Sequence, residues 1–186
     1  MNYLLKVLKL KGIIINHESS FIEDLKKLFE NCDVIHHKEL DKQVNILDTY
    51  DYVVLSGGPI NISGEKDLIE EKKFLKKTSK PVIGICLGFE IMCVAEGSKL
   101  PPLEKTREGF FELNFFGEKG KLYQSHSWFI ENAPENYDVL ERSGNIIELI
   151  THKKKPFLGI QGHPEKSGDF GVFIKNFFLD NFVKKT

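Results

Sequence analysis

The sequence predicts an α/β fold, a mostly parallel sheet flanked by helices, with antiparallel strands added in its C-terminal half. Three observations carry this. The strand-like runs of the first half, at Lys11 to Asn16, Tyr52 to Ser56 and Pro81 to Ile85, are almost wholly apolar, as strands buried on both faces are. Helix-like stretches alternate with them, the pattern of a parallel sheet covered on both sides. After Gly97, strand-like runs follow one another across short turns, a connection open to antiparallel neighbours.

Lys11 to Asn16 is the first clear strand. Ser20 and Glu23 have the spacing of a capping box, ahead of a helix to about Glu30 that carries Ile22, Leu25, Leu28 and Phe29 on one face. A short strand covers Cys32 to His36, and Tyr52 to Ser56 ends in the turn Gly57-Gly58-Pro59. Glu65 to Lys77 reads as a helix with Leu68, Ile69 and Leu75 on one side, and Pro81 to Ile85 as a strand entering a helix near Leu87. GFFELNFF, KLYQSHSWFI, YDVLERS and IIELITHKKKPFLGIQGHPE are the later strands. Asp169 to Lys184 closes the chain as a helix with Phe173, Phe177 and Phe178 near one face. Phe110, Phe111, Phe115 and Phe116 read as core strand residues, and residues 1–10 have no assigned element.

The 186 residues suit one domain spanning 1–186. With 26 basic and 27 acidic residues the formal charge is -1, which gives no reason to expect nucleic acid or a membrane surface as partner. No apolar run is long enough for a membrane span, and the start lacks a signal-peptide cleavage pattern, so a cytoplasmic protein is expected. Three cysteines, Cys32, Cys86 and Cys93, without CxxC spacing argue against disulfides and against a zinc site.

Gly84-Ile85-Cys86-Leu87-Gly88 lies where a strand meets a helix. This is the layout of a nucleophile elbow with cysteine in the middle, and the helix N-terminus favours a thiolate there. A small buried apolar residue explains the cysteine equally well at this point. A second stretch decides between them. In LGIQGHPE, His163 and Glu165 stand two apart around Pro164, a carboxylate beside the imidazole it can orient. His17, His36, His37 and His152 have no such partner pattern and read as ordinary surface or core histidines.

Taken with Ser56-Gly57-Gly58-Pro59, these motifs make the chain resemble the class I glutamine amidotransferase family from Lys11 onward. Within it, KTREGFFELNF, SHSW and SGDFGVFIKNFF are similar to the GMP synthetase glutaminase group. The resemblance implies a flavodoxin-like glutaminase domain, glutamine as substrate and a Cys86, His163, Glu165 triad. It also implies an oxyanion hole from the N–H groups of Gly58 and Leu87, and substrate contacts from Glu90, Ser125, His126 and Ser127. A separate ammonia-accepting synthetase subunit of the ATP-pyrophosphatase type is the implied partner, and neither cofactor nor metal is expected.

The chain departs from the family pattern at three places. Glu90 stands where the family usually has Gln, Gly162 where it has an aromatic, and Trp128 where the GMP synthetase group has Asp. An ionised Glu90 only accepts hydrogen bonds and puts a negative charge near Cys86, raising its pKa. The absent aromatic at Gly162 removes bulk beside His163. These departures keep two alternatives in play, a stand-alone cysteine hydrolase of γ-glutamyl or related amides and a catalytically impaired regulatory homologue.

Overall fold

Successive side chains of a strand point to opposite faces, so a strand apolar at every position needs cover on both sides. The computed structural model describes residues 10–62 and 68–185. Its elements in chain order are β1 (Gly12–Asn16), α1 (Ile22–Leu28), β2 (Cys32–His36), α2 (Leu40–Gln43), β3 (Tyr52–Leu55), α3 (Ile69–Lys77), β4 (Val82–Ile85), α4 (Leu87–Val94), β5 (Pro102–Phe115), β6 (Glu118–Trp128), β7 (Tyr137–Ser143), β8 (Ile146–His152), β9 (Phe157–Ile160) and α5 (Gly168–Phe178). The main sheet has seven strands in the order β2-β1-β3-β4-β9-β8-β7. The first five are parallel, and β8 and β7 extend them antiparallel. β5 and β6 form a separate antiparallel hairpin.

Ile13, Ile15, Val53, Leu55 and Val82 face one way, against Leu40, Phe74, Leu75, Ile91 and Met92 of α2, α3 and α4. Ile14, Val54, Ile83 and Ile85 face the other, against Leu25 of α1, Ile174 and Phe178 of α5, and Leu113, Phe115 and Leu122 of the hairpin. Both faces are buried, and the predicted parallel sheet with helices on each side is what the chain forms. Among the described residues no helix is long and apolar enough to cross a membrane.

Several local expectations need correction. No capping box starts α1: its N-cap is Phe21 with no side-chain cap, because Ser19 Oγ accepts the Phe21 N–H and Asn16 Oδ1 accepts that of Ser19. The expected start of the third helix at Glu65 lies outside the described residues, and α3 begins after Leu68, which is left-handed at φ 50°. Its inner side is Phe74, Leu75 and Glu71, while Ile69 is exposed. β9 is not another antiparallel addition but pairs in parallel with β4. Phe110 and Phe116 are exposed, unlike Phe115. Phe178 enters the core, whereas Phe177 stacks on Phe116 and meets the edge of Phe115, joining α5 to the hairpin.

The carboxyl ends of β1, β3, β4 and β9 open on one edge of the sheet, the usual place for a site in such folds. Close packing there requires a glycine. A Cβ on Gly88 would stand 2.3 Å from the Leu55 carbonyl oxygen, while one on Gly97 would meet open space. Gly88→Ala is expected to lower the free energy of urea unfolding by about 1–3 kcal/mol through overpacking. Gly97→Ala has only its left-handed backbone to oppose it, about 1–2 kcal/mol. Equal, negligible losses in denaturation curves of the two variants would contradict this packing.

Candidate active site

Cys86 sits between β4 and α4 with φ 50° and ψ -106°, a conformation a non-glycine residue holds only under constraint. Its N–H donates to the Ile160 carbonyl at 2.9 Å, and the Gly88 N–H to that of Ser56 at 3.1 Å. These bonds tie the corner to β9 and to the end of β3. Gly84 is also forced, since its Cβ would lie 2.7 Å from the Gly88 oxygen and 2.4 Å from the Met92 sulfur.

His163 follows β9, and its N–H donates to the Tyr123 carbonyl at 2.7 Å, fastening it to β6. Its Nδ1 is 2.8 Å from Glu165 Oε1, and both side chains are buried. That bond engages Nδ1 and leaves Nε2 as the free ring nitrogen, buried and without a hydrogen-bond partner. The vacancy over Gly57 joins imidazole and thiol: a Cβ there would lie 2.9 Å from His163 Cε1 and 3.5 Å from Cys86 Cβ. Burial pushes the Cys86 thiol up, and the neighbouring imidazolium of His163 pulls it back down. Burial also disfavours the imidazolium, but Cys86 and Glu165 outweigh it and raise His163 to about 10. The two titrate as one coupled unit.

A cavity of about 230 Å³ opens over Cys86 and His163, lined also by Glu18, Ser19, Ser20 and Phe21 after β1, by Gly58 and Pro59 after β3, and by Ser125 of β6. It has room for a small ligand. A larger groove of about 660 Å³ between residues 96–101 and 131–134 contains no cysteine or histidine. Of the residues expected at the substrate, Ser125 reaches the cavity, and its carbonyl lies 3.9 Å from Cys86 Sγ. His126 is buried behind it, its ring nitrogens 2.7 Å from the Trp128 carbonyl and 2.8 Å from the Gln124 amide. Burial holds its pKa down at about 4. Gln124 bonds to Glu148, which pairs with Arg107 at 3.1 Å. The Ser127 hydroxyl bonds to Thr106 on the exposed side of the hairpin. Gly58 lines the cavity, and the Leu87 N–H is the first of α4, at the helix end where N–H groups lack intrahelical partners.

Two expectations about the departures change. Glu90 is buried, and its Oε1 accepts from Gln161 Nε2 at 3.1 Å. Burial raises its pKa from 4.5 to about 8, against the pull of Gln161 and His163. At neutral pH it is largely protonated, so it both donates and accepts, as the family's amide does. At Gly162 there is no missing bulk, because a Cβ would be 2.3 Å from Leu122 Cδ2. The space is filled from β6, and Phe21 packs edge-on to His163 at 5.0 Å. Phe21 and Gln161 are site residues that sequence reasoning missed; Gln161 lay within LGIQGHPE, but Phe21 reaches the imidazole only through the fold.

The buried acid has a measurable consequence. Between about pH 5 and pH 8 an unfolded chain has released the Glu90 proton and the folded chain keeps it, so stability falls as pH rises through this window. Glu90→Gln removes a loss of order a few kcal/mol. In urea titrations at both pH values the variant should lose less stability than the parent, and parallel losses would show that Glu90 is not a buried neutral acid.

Known proteins are similar to this chain in sequence and in fold. The family model described as glutamine amidotransferase class-I matches residues 13–181. The glutamine-hydrolyzing GMP synthase subunit of Sulfurisphaera tokodaii is 28% identical over 169 residues, covering 84% of this chain and 88% of that protein. The corresponding subunit of Methanothrix thermoacetophila is 31% identical over 146 residues, covering 72% and 76%. A crystal structure from Thermoplasma acidophilum, assigned to a GMP synthase subunit, shares the fold at a TM-score of 0.78 and 22% identity, over 91% of this chain and 92% of that one. With the match running from β1 past the end of α5, the chain is a member of the class-I glutamine amidotransferase family.

Proposed function

We propose that this chain releases ammonia from glutamine through a Cys86 thioester and passes it to a separate synthetase subunit of the ATP-pyrophosphatase type, as part of a GMP synthase. The observation that carries the chemistry is the meeting of a strained Cys86 corner with a His163–Glu165 pair at 2.8 Å beside one small cavity. The relatives named as glutamine-hydrolyzing GMP synthase subunits support the acceptor.

The Cys86 thiolate adds to the side-chain amide carbon, and the N–H groups of Gly58 and Leu87 receive the oxyanion. The His163 imidazolium gives its Nε2 proton to the departing nitrogen, so the C–N bond breaks, ammonia leaves and the γ-glutamyl thioester remains. Neutral His163 then takes a proton from water as the oxygen attacks the thioester. Glutamate leaves and the ion pair is restored. Glu165 keeps Nδ1 protonated and Nε2 aimed at the reacting atoms. A hydrolase of cationic amides has less support, because Glu90 presents no charge to the cavity at neutral pH.

Glutamate formation from glutamine, measured with and without the synthetase partner, tests this reading. Cys86→Ala and His163→Ala should each abolish turnover, while Glu165→Gln retains a measurable fraction because its role is to orient. A glutamine-like diazo-ketone should label Cys86 before Cys32 or Cys93, since neither of the latter lines the cavity, and of three thiols that burial raises only Cys86 has His163 to pull it back down. Turnover surviving in His163→Ala, or first labelling at another cysteine, would refute it.

A further inference from the structure

The histidines without a partner in the sequence, His17, His36 and His37, come together in the fold. The ring centroids of His17 and His37 are 5.7 Å apart, and those of His36 and His37 are 4.7 Å apart. Two carboxylates bracket the row. Glu71 of α3 places Oε1 3.7 Å from His17 Nε2 and 3.8 Å from His37 Nδ1. Glu18 places Oε1 3.6 Å from His37 Nε2 and 3.7 Å from His36 Nε2. These separations are too long for hydrogen bonds.

The cluster is built, not an accident of surface charge. The side chains of His17, Glu71 and His37 are 0%, 3% and 10% exposed. His17 Nε2, His37 Nε2 and Glu71 Oε1 are buried without a hydrogen-bond partner. His17 Nδ1 faces the Ser56 carbonyl at 3.2 Å, and its Nε2 faces the Glu71 carboxylate at 3.7 Å. Buried polar atoms without a hydrogen-bond partner thus meet at the inner end of this row. The parallel register, with Asn16 opposite His36, sets the residues after β1 beside those after β2.

We propose that this cluster binds a divalent transition-metal ion of the zinc or cobalt type, with Glu18, His36 and His37 as ligands and Glu71 orienting His37 through Nδ1. The three donor atoms lie within 4.8 Å of one another. A tetrahedral ion with bonds near 2.1 Å needs donor separations of about 3.4 Å, so the two Glu18 edges close by a few tenths of an ångström, and the His36–His37 edge closes from within 4.8 Å by rotation of the partly exposed His36 ring. Two imidazoles and one carboxylate suit a borderline ion, not calcium or magnesium, and leave a position for water. Closing the 3.8 Å Glu71–His37 contact to a hydrogen bond would complete the carboxylate–imidazole pairing that holds metal-binding histidines. The Lys38 ammonium lies 2.9 Å from Glu18 Oε1, where positive charge is wanted, on a side chain 70% exposed. The Lys38 N–H also donates to His36 Nδ1 at 3.2 Å, a contact that binding through Nε2 gives up. Of the three ligands only Glu18 also lines the cavity over Cys86, and the site shares no residue with the Cys86, His163 and Glu165 set. The site stands whether or not the glutaminase reading does.

The test is a cobalt titration of the full chain, free of any histidine tag and carrying Cys86→Ala, followed by optical absorption and equilibrium dialysis and chased with zinc. One Co²⁺ per chain is expected, with visible bands of a nitrogen–oxygen site, no thiolate charge-transfer band, and displacement by Zn²⁺. Glu71→Gln should weaken binding about 10–100-fold, and Glu18→Gln and His36→Ala by at least as much. Both ligand positions are more than a third exposed, so these two variants should keep the parental melting temperature in EDTA. Lys38→Ala, which removes the competing ammonium, should strengthen binding. Absence of saturable binding, a thiolate band, or an affinity unchanged by Glu18→Gln and His36→Ala would overturn the proposal, as would weaker binding in Lys38→Ala.

Discussion

The backbone at Cys86 is the constraint on which the rest of the structure depends. A left-handed corner at a non-glycine residue costs about 1–3 kcal/mol and persists only when its surroundings over-determine it. Here β4 enters from a sheet buried on both faces, β9 accepts the Cys86 N–H, and α4 approaches β3 so closely that Gly88 touches the Leu55 carbonyl. The apolar strands, the glycines at 84 and 88 and the direction of β9 serve one geometry.

Electrostatically the centre is sparing with charge. Glu165 is committed to His163, and Glu90, one helical turn from the sulfur, keeps its proton because burial makes ionisation costly. A low-dielectric site can hold an ion pair if no unpaired charge competes with it. A buried acid in place of an amide therefore preserves the hydrogen-bonding character of the position while the solution stays near neutral.

Much of this was legible in the residues. The apolar strands at 52–55 and 82–85 read directly because burial on both faces leaves one possible composition. Cys86 between glycines and His163 two residues from Glu165 read directly because both motifs are local. What could not be read depends on distant parts of the chain. The capping residues Ser20 and Glu23 had the right spacing, but Asn16 and Ser19 made a different turn. β9 took its direction from β4, not from its antiparallel neighbour in sequence. The protonation of Glu90 required knowing its burial, and the grouping of His17, His36 and His37 with Glu71 required the register of β1 on β2 and the placement of α3.

Gly162 and Leu122 share one volume. The side chain of Leu122 fills the space that a residue at 162 would enter, so the two positions cannot both be large. Their substitutions are therefore epistatic: placing an aromatic at 162 in this chain must begin on the β6 side, through a small residue at 122 that opens a void, since the opposite order drives a ring into occupied space. Either position judged alone would be misread, one as a missing aromatic and the other as an ordinary leucine, although together they fill one volume at the seam between β6 and His163.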